Sequence, residues 1–276
     1  IGVEMAYLYA RLKVSVTVIE AEARLLPMME LDLSRSAEAL LRGMGVGLQT
    51  GAKLQSLSRT EQGFTATVAK GETVSAFAAQ RVLLATGRVP VTDRLFTPNA
   101  QPAMNRRFIA VDIAYRTSLP GVYAVGDVNG EMQLAHAAHA QAIAAISDML
   151  GIPSPADPRL VPSCVYTSPE IASVGLTQAD AKALGRDVVV GKVLTTQNAR
   201  TLIEGLGRGF VKLVFDRQTH ALLGAQLYCG RATDLVGELT LAIQQGLTAE
   251  QLLAPVRAHP TFEEALTDAV LAATFA

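Results

Sequence analysis

His259 and Glu264 are the two residues of this sequence best suited to acid–base chemistry. An imidazole that titrates near neutrality can take and return a proton, and a carboxylate on its other ring nitrogen fixes the tautomer and stabilises the imidazolium. The segment Pro260-Thr261-x-x-Glu264 is also a helix start signal with an acidic residue in the first turn. Judged from these residues alone, a surface histidine beside a helix cap is the favoured interpretation.

A second group of candidates has the spacing of a dinucleotide-binding unit. Gly2 precedes a predicted helix, and the strand after that helix ends at Glu20. A carboxylate at the end of such a strand can accept both ribose hydroxyls of NAD, whereas it would repel the 2′-phosphate of NADP. A strand-terminal glutamate is more often a solvated edge residue, so Glu20 alone leaves both interpretations open.

Two further residues follow predicted strands. Gly87 lies in the tetrapeptide ATGR at 85–88, where a glycine lets the backbone approach a ligand or simply makes a turn. Asp127 follows a predicted buried strand at 122–125 and can accept from a polyol hydroxyl or cap the next turn. Both alternatives stay open for each residue.

Helical and strand-like patterns alternate in the first part of the chain, which is typical of an α/β unit. The predicted elements are helices at 3–12, 33–44 and 134–150, strands at 14–19, 46–49, 81–85 and 122–125, and an antiparallel meander within 54–78. The sequence therefore predicts a Rossmann-like part that begins in the middle of a helix. We expect the chain to be truncated, since Ile1 is not an initiator methionine.

Four prolines between residues 153 and 162 form the clearest linker of the sequence. Mixed elements follow it: strands at 188–194, 210–215 and 222–228, and helices at 177–184, 232–245 and 261–273. The predicted fold class is thus α/β, a truncated Rossmann-like nucleotide-binding part followed by an α+β domain. A length of 276 residues agrees with roughly two domains.

Composition excludes several classes of function. Lys and Arg (24) balance Asp and Glu (25), and no cationic run or apolar stretch of membrane-spanning length occurs, so neither nucleic acid nor a membrane is an expected partner. His136 and His139 share a helical face without a third ligand, so no metal site is expected. Cys164 and Cys229 lack paired spacing, which favours structural thiols in a reducing, cytoplasmic compartment.

Taken together, these pieces resemble one family, the flavin-dependent pyridine nucleotide–disulfide oxidoreductases, and within it the dihydrolipoamide dehydrogenase branch. Five collinear segments carry the resemblance: IGVE at 1–4, ATGR at 85–88, GVYAVGDV at 121–128 with LAH at 134–136, YTSPEIASVG at 166–175, and HPTFEE at 259–264. The resemblance implies three parts: the remainder of an NAD-binding domain at 1–88, a returning FAD segment at 89–152 and an interface domain for dimerisation at 159–276.

FAD and NAD are the cofactors that the resemblance implies. Gly2 matches the family's second glycine fingerprint, and Glu20 matches the position where an acid favours NAD. Glu4 would lie near the contact between nicotinamide and flavin, and Gly87 would face the NAD site. Asp127 would hold the ribityl chain of FAD.

The start of the Ala-rich helix is implied to face the flavin ring through the backbone groups of Gln133, Leu134, Ala135 and His136. A helix N-terminus there favours negative charge on a reduced flavin. The sequence departs from the family at Gln141-Ala142, where relatives commonly have Glu-Gly.

With the resemblance, the catalytic interpretation of His259 and Glu264 becomes the favoured one. The pair would manage thiol protons at the active site of the other subunit of a homodimer. The implied reaction carries electrons from a small dithiol or a lipoyl group to NAD, and a 2-oxo acid dehydrogenase complex is left open as a partner. Two alternatives remain: a soluble pyridine nucleotide transhydrogenase, and a dimerising fragment that is inactive in isolation.

Overall fold

The computed structural model describes residues 1–155 and 157–274 and divides them into two units. The first unit comprises Ile1–Ala85 and Pro162–Ala276, and the second comprises Thr86–Val161. Ala156, Phe275 and Ala276 lie outside the described residues, and the last two end the predicted interface domain. The division at 1–88, 89–152 and 159–276 stays a prediction.

The N-terminal part of the first unit is an α/β layer followed by a meander. Its elements are α1 (Gly2–Arg11), β1 (Thr17–Glu20), α2 (Leu31–Gly43), β2 (Gly47–Thr50), β3 (Lys53–Thr60), β4 (Gly63–Lys70) and β5 (Thr73–Ala79). β1 and β2 are parallel, with Glu20 opposite Thr50. The strands β3, β4 and β5 form an antiparallel sheet in that order, which confirms the predicted meander.

α2 covers this layer because its apolar residues recur every fourth position. Leu33, Ala37 and Leu41 are all completely buried, as expected for the core-facing stripe of an amphipathic helix. Val3 and Ala6 on α1 belong to the same core cluster. Burial of this stripe sets the position of β1 and of the residue that ends it.

The predictions of strands at 81–85 and 122–125 are wrong. Neither segment forms a strand; the second shows only an isolated bridge between Arg116 and Tyr123. A strand needs a neighbour that completes its hydrogen bonds, and within the described ranges no segment forms a ladder with either run. The apolar side chain of Leu84 is consequently 68% exposed.

The C-terminal part of the first unit is α+β. It contains β8 (Ser163–Val165), β9 (Glu170–Gly175), α4 (Gln178–Ala183), β10 (Val188–Leu194), α5 (Ala199–Ile203), β11 (Phe210–Asp216), β12 (Leu222–Cys229), α6 (Ala232–Gln244), α7 (Ala249–Leu253) and α8 (Glu264–Thr274). The five strands form one antiparallel sheet in the order β10-β11-β12-β9-β8. β11 and β12 are almost wholly buried and form its core.

α8 lies directly against β10, and a glycine makes this approach feasible. A Cβ at Gly191 would stand 1.8 Å from the carbonyl oxygen of Ala269, far inside any allowed contact. The first residue of α8, Glu264, is therefore placed by close packing of the helix on the sheet.

The second unit contains β6 (Met104–Asn105), β7 (Phe108–Ile109), a 3₁₀ turn at Gly126–Asn129 and α3 (Ala135–Leu150). Near the end of α3, the carboxylate of Asp148 accepts hydrogen bonds from Arg116 Nε at 2.7 Å and from the hydroxyl of Tyr123 at 2.6 Å. The guanidinium of Arg116 and then this hydroxyl lower the pKa of Asp148. The cluster fixes α3 to the loop that precedes it.

The observed architecture confirms the predicted fold class. None of the helices in the described residues combines the length and the apolarity that a membrane crossing demands.

Candidate active site

His259 and Glu264 meet at the start of α8. Nδ1 of His259 lies 2.9 Å from Oε1 of Glu264. The His259 side chain is 71% exposed and that of Glu264 is 30% exposed. The imidazole thus stands on the surface of its own chain with one ring nitrogen held by the carboxylate.

The two carboxylate oxygens of Glu264 perform different tasks. Oε1 accepts from the imidazole, while Oε2 accepts from the backbone N–H of Thr261 at 2.9 Å. The hydroxyl of Thr261 in turn donates to the carbonyl of Ala258 at 2.7 Å. The side chain of Glu264 therefore stabilises the start of the helix and holds the histidine at the same time.

These contacts set the charge and the tautomer of the pair. The Thr261 N–H, followed by His259, lowers the pKa of Glu264, so the carboxylate is ionised at neutral pH and can only accept. Nδ1 of His259 must then be the donor, which leaves Nε2 as the nitrogen that can exchange a proton with another molecule.

Glu20 ends β1, at the strand terminus where it was predicted. One of its carboxylate oxygens accepts from the backbone N–H of Glu22 at 2.8 Å. This turn keeps the carboxylate beside the strand end, where ligands of open α/β sheets bind.

Gly2 and Glu4 lie in the first turn of α1. Oε1 of Glu4 accepts from the backbone N–H of Tyr166 at 3.0 Å. This bond ties α1 to the segment that follows β8, a connection across 162 positions of the chain. Sequence reasoning gave no sign of it.

In the second unit, Asp127 lies in the 3₁₀ turn and Oδ2 is 3.1 Å from Nη1 of Arg88. Both side chains are about half exposed. Gly87 has a φ of +99°, and a Cβ there would meet open space. The ATGR segment therefore delivers a cation to Asp127, which sequence reasoning missed, and leaves the backbone of Gly87 accessible.

Gln133 supplies an observation that favours a ligand at the start of α3. Its Nε2 is buried and has no hydrogen-bond partner within the described part of the chain, an arrangement that costs free energy unless a ligand accepts from it. Leu134 is the N-cap residue and offers no side-chain cap, and Ala135 and His136 begin the helix. One buried amide donor beside the positive end of a helix fits the polar edge of a flavin.

Gln141 supports the turn that carries Asp127. Its Oε1 accepts from the backbone N–H of Gly126 at 2.7 Å and from Nδ2 of Asn129 at 2.9 Å. Gly126 has a φ of +80°, a conformation that favours glycine. The departure from the family pattern at Gln141 thus has a structural role.

The two cysteines have no place in this chemistry. Burial raises the pKa of the Cys229 thiol to about 12 and also raises that of Cys164. Both are protonated at neutral pH, and the thiolate is the reactive form. Dithiol exchange at either residue is therefore disfavoured.

Comparison with protein families identifies two matches along the chain. Residues 1–142 match the family described as pyridine nucleotide-disulphide oxidoreductase, and residues 161–270 match the dimerisation domain of the same family. Two similar curated proteins are the dihydrolipoyl dehydrogenases of Chlorobaculum parvum, 40% identical over 275 residues, and of Bacillus subtilis, 37% identical over 277 residues. Each alignment covers 99% of this chain but only 59% and 58% of those proteins.

Solved structures agree with the sequence matches. LpdA from Mycobacterium tuberculosis superposes with a TM-score of 0.89 at 29% identity, covering 98% of this chain and 58% of that one. The HOCl-induced flavoprotein disulfide reductase RclA from Escherichia coli superposes with a TM-score of 0.86 at 27% identity, covering 98% and 62%. The chain belongs to the pyridine nucleotide-disulphide oxidoreductases, the family of flavoproteins that use FAD and NAD.

Proposed function

We propose that the intact protein oxidises a small dithiol or a lipoyl group and passes the electrons through FAD to NAD. Two of its relatives are named dihydrolipoyl dehydrogenase. The observation that carries the proposal is the 2.9 Å contact between His259 Nδ1 and Glu264 Oε1. It prepares an exposed imidazole to exchange protons through Nε2.

His259 takes a proton from a substrate thiol as the dithiol becomes a disulfide, and it later releases that proton to solvent. Glu264 keeps the imidazole in the Nδ1–H tautomer and stabilises the imidazolium formed in between. Positioned acid–base catalysis of this kind contributes about 10²- to 10⁴-fold to a rate.

Other residues serve the cofactors. Asp127 would accept from the FAD ribityl chain, and Gln133 through His136 would face the flavin with amide and helix-terminal N–H donors. Gly2, Glu4, Glu20 and Gly87 would serve NAD, with Glu20 accepting from ribose hydroxyls. When bound, FAD would supply the acceptor for the electron pair of the dithiol, and NAD would be the final acceptor.

The partners follow from the same proposal. The match to a dimerisation domain at 161–270 supports a homodimer, and the 71% exposure of the His259 side chain on its own chain leaves the imidazole accessible to another subunit. A lipoyl group would be presented by a 2-oxo acid dehydrogenase complex. The free thiols of Cys164 and Cys229 support the cytoplasm as the compartment.

The test substitutes His259→Gln in the intact protein and measures two activities. We expect dihydrolipoamide oxidation to fall by about 10²-fold or more, while reduction of a quinone by NADH, which needs no thiol proton, is retained. His220→Gln is the matched control, because Nδ1 of His220 also contacts a glutamate, Oε1 of Glu250, at 2.6 Å but lies outside the proposed site. Equal loss of both activities, or of neither, would contradict the role of His259.

The same assays decide between the alternatives. A wild-type protein that exchanges hydride between NAD and NADP but does not oxidise dithiols would be the transhydrogenase. A protein that dimerises without either activity would be the non-catalytic alternative.

A further inference from the structure

The segment that carries His259 is held in place by a single inward-facing side chain. Residues 254–259 form the first part of the connection between α7 and α8 and have no regular structure. Ala254, Pro255, Val256, Ala258 and His259 are exposed, and the exposure of Val256 reaches 99%. The Arg257 side chain, in contrast, is only 6% exposed.

The buried guanidinium of Arg257 joins three helices. Nη1 donates to the carbonyl of Leu252 in α7 at 3.0 Å and to Oγ1 of Thr267 in α8 at 3.1 Å. Nη2 donates to Oε1 of Glu238 in α6 at 2.5 Å. Charge-assisted bonds from a planar, rigid fork hold geometry better than those of other side chains.

Arg257 and His259 both form hydrogen bonds with side chains of α8. Thr267 lies three positions after Glu264, so the acceptor of Arg257 and the acceptor of His259 are one turn apart on α8. Arg257 is two residues before His259. The guanidinium of Arg257 therefore fixes the backbone just before His259 to α8. The carboxylate of Glu264, on the same helix, orients the imidazole ring.

We propose that Arg257 is a positioning residue for His259, which sets the ring in register with Glu264 without contacting substrate. The inference rests on the proposed function in that His259 is the proton-transfer group. Removal of the guanidinium releases the segment 254–259, so that the imidazole samples orientations in which Nδ1 no longer faces Glu264. Misplacement by about 1 Å is enough to cost about 10²-fold in rate.

The first test records the tautomer of His259 by ¹H–¹⁵N NMR of the imidazole nitrogens in the intact protein. The chain has four histidines, and the His259→Gln spectrum assigns the signal. We expect the Nδ1–H tautomer in the wild type and a mixture of tautomers in Arg257→Met. Arg257→Lys, which keeps the charge but loses the fork, is expected to recover part of the wild-type signal.

Lys212→Met is the matched control for the loss of a buried cation. The Lys212 side chain is 7% exposed and is ion-paired with Glu30, so its substitution also destabilises the protein. A merely structural role of Arg257 predicts that both variants lower stability and that neither changes the His259 tautomer. The positioning role predicts a tautomer change in Arg257→Met alone.

Kinetics provide the second measurement. We expect Arg257→Met to lower kcat for dihydrolipoamide by about 10- to 100-fold with the KM for NAD unchanged. If Arg257→Met does not fold, Thr267→Val removes one acceptor with little change in shape, and a smaller change in the same direction is expected. An unchanged tautomer and kcat in the folded variants would overturn the inference.

The two proposals fail in different ways. If His259→Gln retains dithiol oxidation while Arg257→Met changes the tautomer, the proposed function fails and the positioning role stands. If His259→Gln abolishes dithiol oxidation while Arg257→Met keeps the wild-type tautomer, the positioning role fails and the proposed function stands.

Discussion

Gln141 allows a quantitative test of the turn that carries Asp127. Its side chain is 1% exposed and its Oε1 is the acceptor for Gly126 N–H and for Asn129 Nδ2. The substitution Gln141→Leu keeps the approximate shape of the side chain and removes the acceptor. Asn129 Nδ2 also donates to the carbonyl of Ala124 at 3.2 Å, so the two donors are affected unequally.

The expected cost follows from these partners. The buried Gly126 N–H loses its acceptor, which costs about 1–3 kcal/mol. Nδ2 of Asn129 loses one of its two bonds, which costs about 0.5–1.5 kcal/mol. We therefore expect Gln141→Leu to lower the free energy of unfolding by about 2–4 kcal/mol. At an m-value of about 2–3 kcal/mol/M, the urea midpoint falls by about 1–2 M.

The assay is urea unfolding of the intact protein at pH 7, with bound FAD measured by its absorbance. Gln141→Glu is the control, because a carboxylate keeps acceptors for both donors, and charge-assisted bonds offset much of its burial. We expect Gln141→Glu to lose less than half as much stability as Gln141→Leu, and only the leucine variant to release FAD. If the urea midpoint of Gln141→Leu equals that of the wild type, the stabilisation attributed to the two hydrogen bonds of Gln141 Oε1 is refuted.

Two further outcomes are expected. Gly191→Ala must push α8 away from β10, because the new Cβ would stand 1.8 Å from the carbonyl oxygen of Ala269, so the melting temperature should fall strongly. Gly207→Ala is the control and should leave the melting temperature nearly unchanged, because a Cβ there meets nothing within 4 Å and the φ of Gly207 is not positive. Equal melting temperatures of the two variants would contradict this expectation. The hydrogen bond from His220 is the main cause that lowers the pKa of Glu250 from 4.5 to about 2. This carboxylate therefore stabilises the fold above pH 4.5, and its contribution is lost as the pH falls toward 2. In Glu250→Gln the urea midpoint should fall less steeply with decreasing pH, and a pH dependence equal to that of the wild type would refute the stabilising role of Glu250.

Helices and strands of this fold are predicted well where the spacing of apolar residues along the sequence matches the buried face of the element. The strand predicted at 222–228 is Leu222–Cys229, and the helix predicted at 232–245 is Ala232–Gln244. The failure at 81–85 has a physical cause. An apolar, β-branched run indicates a segment that prefers a buried ladder, but strand formation also requires a partner, and composition alone carries no information on pairing.

Candidate site residues follow a similar division. His259 and Glu264 are five positions apart, so their pairing is local enough for a motif to indicate. The contact between Arg88 and Asp127 joins residues 39 positions apart, and that between Arg257 and Glu238 spans 19 positions. Such contacts depend on how helices and loops pack, which no local pattern encodes. The contact within the proposed catalytic pair was therefore open to prediction from a local motif, and the contacts that support the pair were not.

This support is what the acid–base role proposed for His259 requires of an exposed imidazole. The ring of His259 is open to solvent, yet Glu264 belongs to α8, and α8 is fixed to β10 by the close approach at Gly191. Arg257 adds a second attachment to the same helix through Thr267. Rigidity thus comes from buried residues, while the imidazole itself stays 71% exposed, as it must be if the dithiol is presented by another subunit. Gly191→Ala should then impair dithiol oxidation below its melting temperature, because the carboxylate moves with the helix, while reduction of a quinone by NADH is retained.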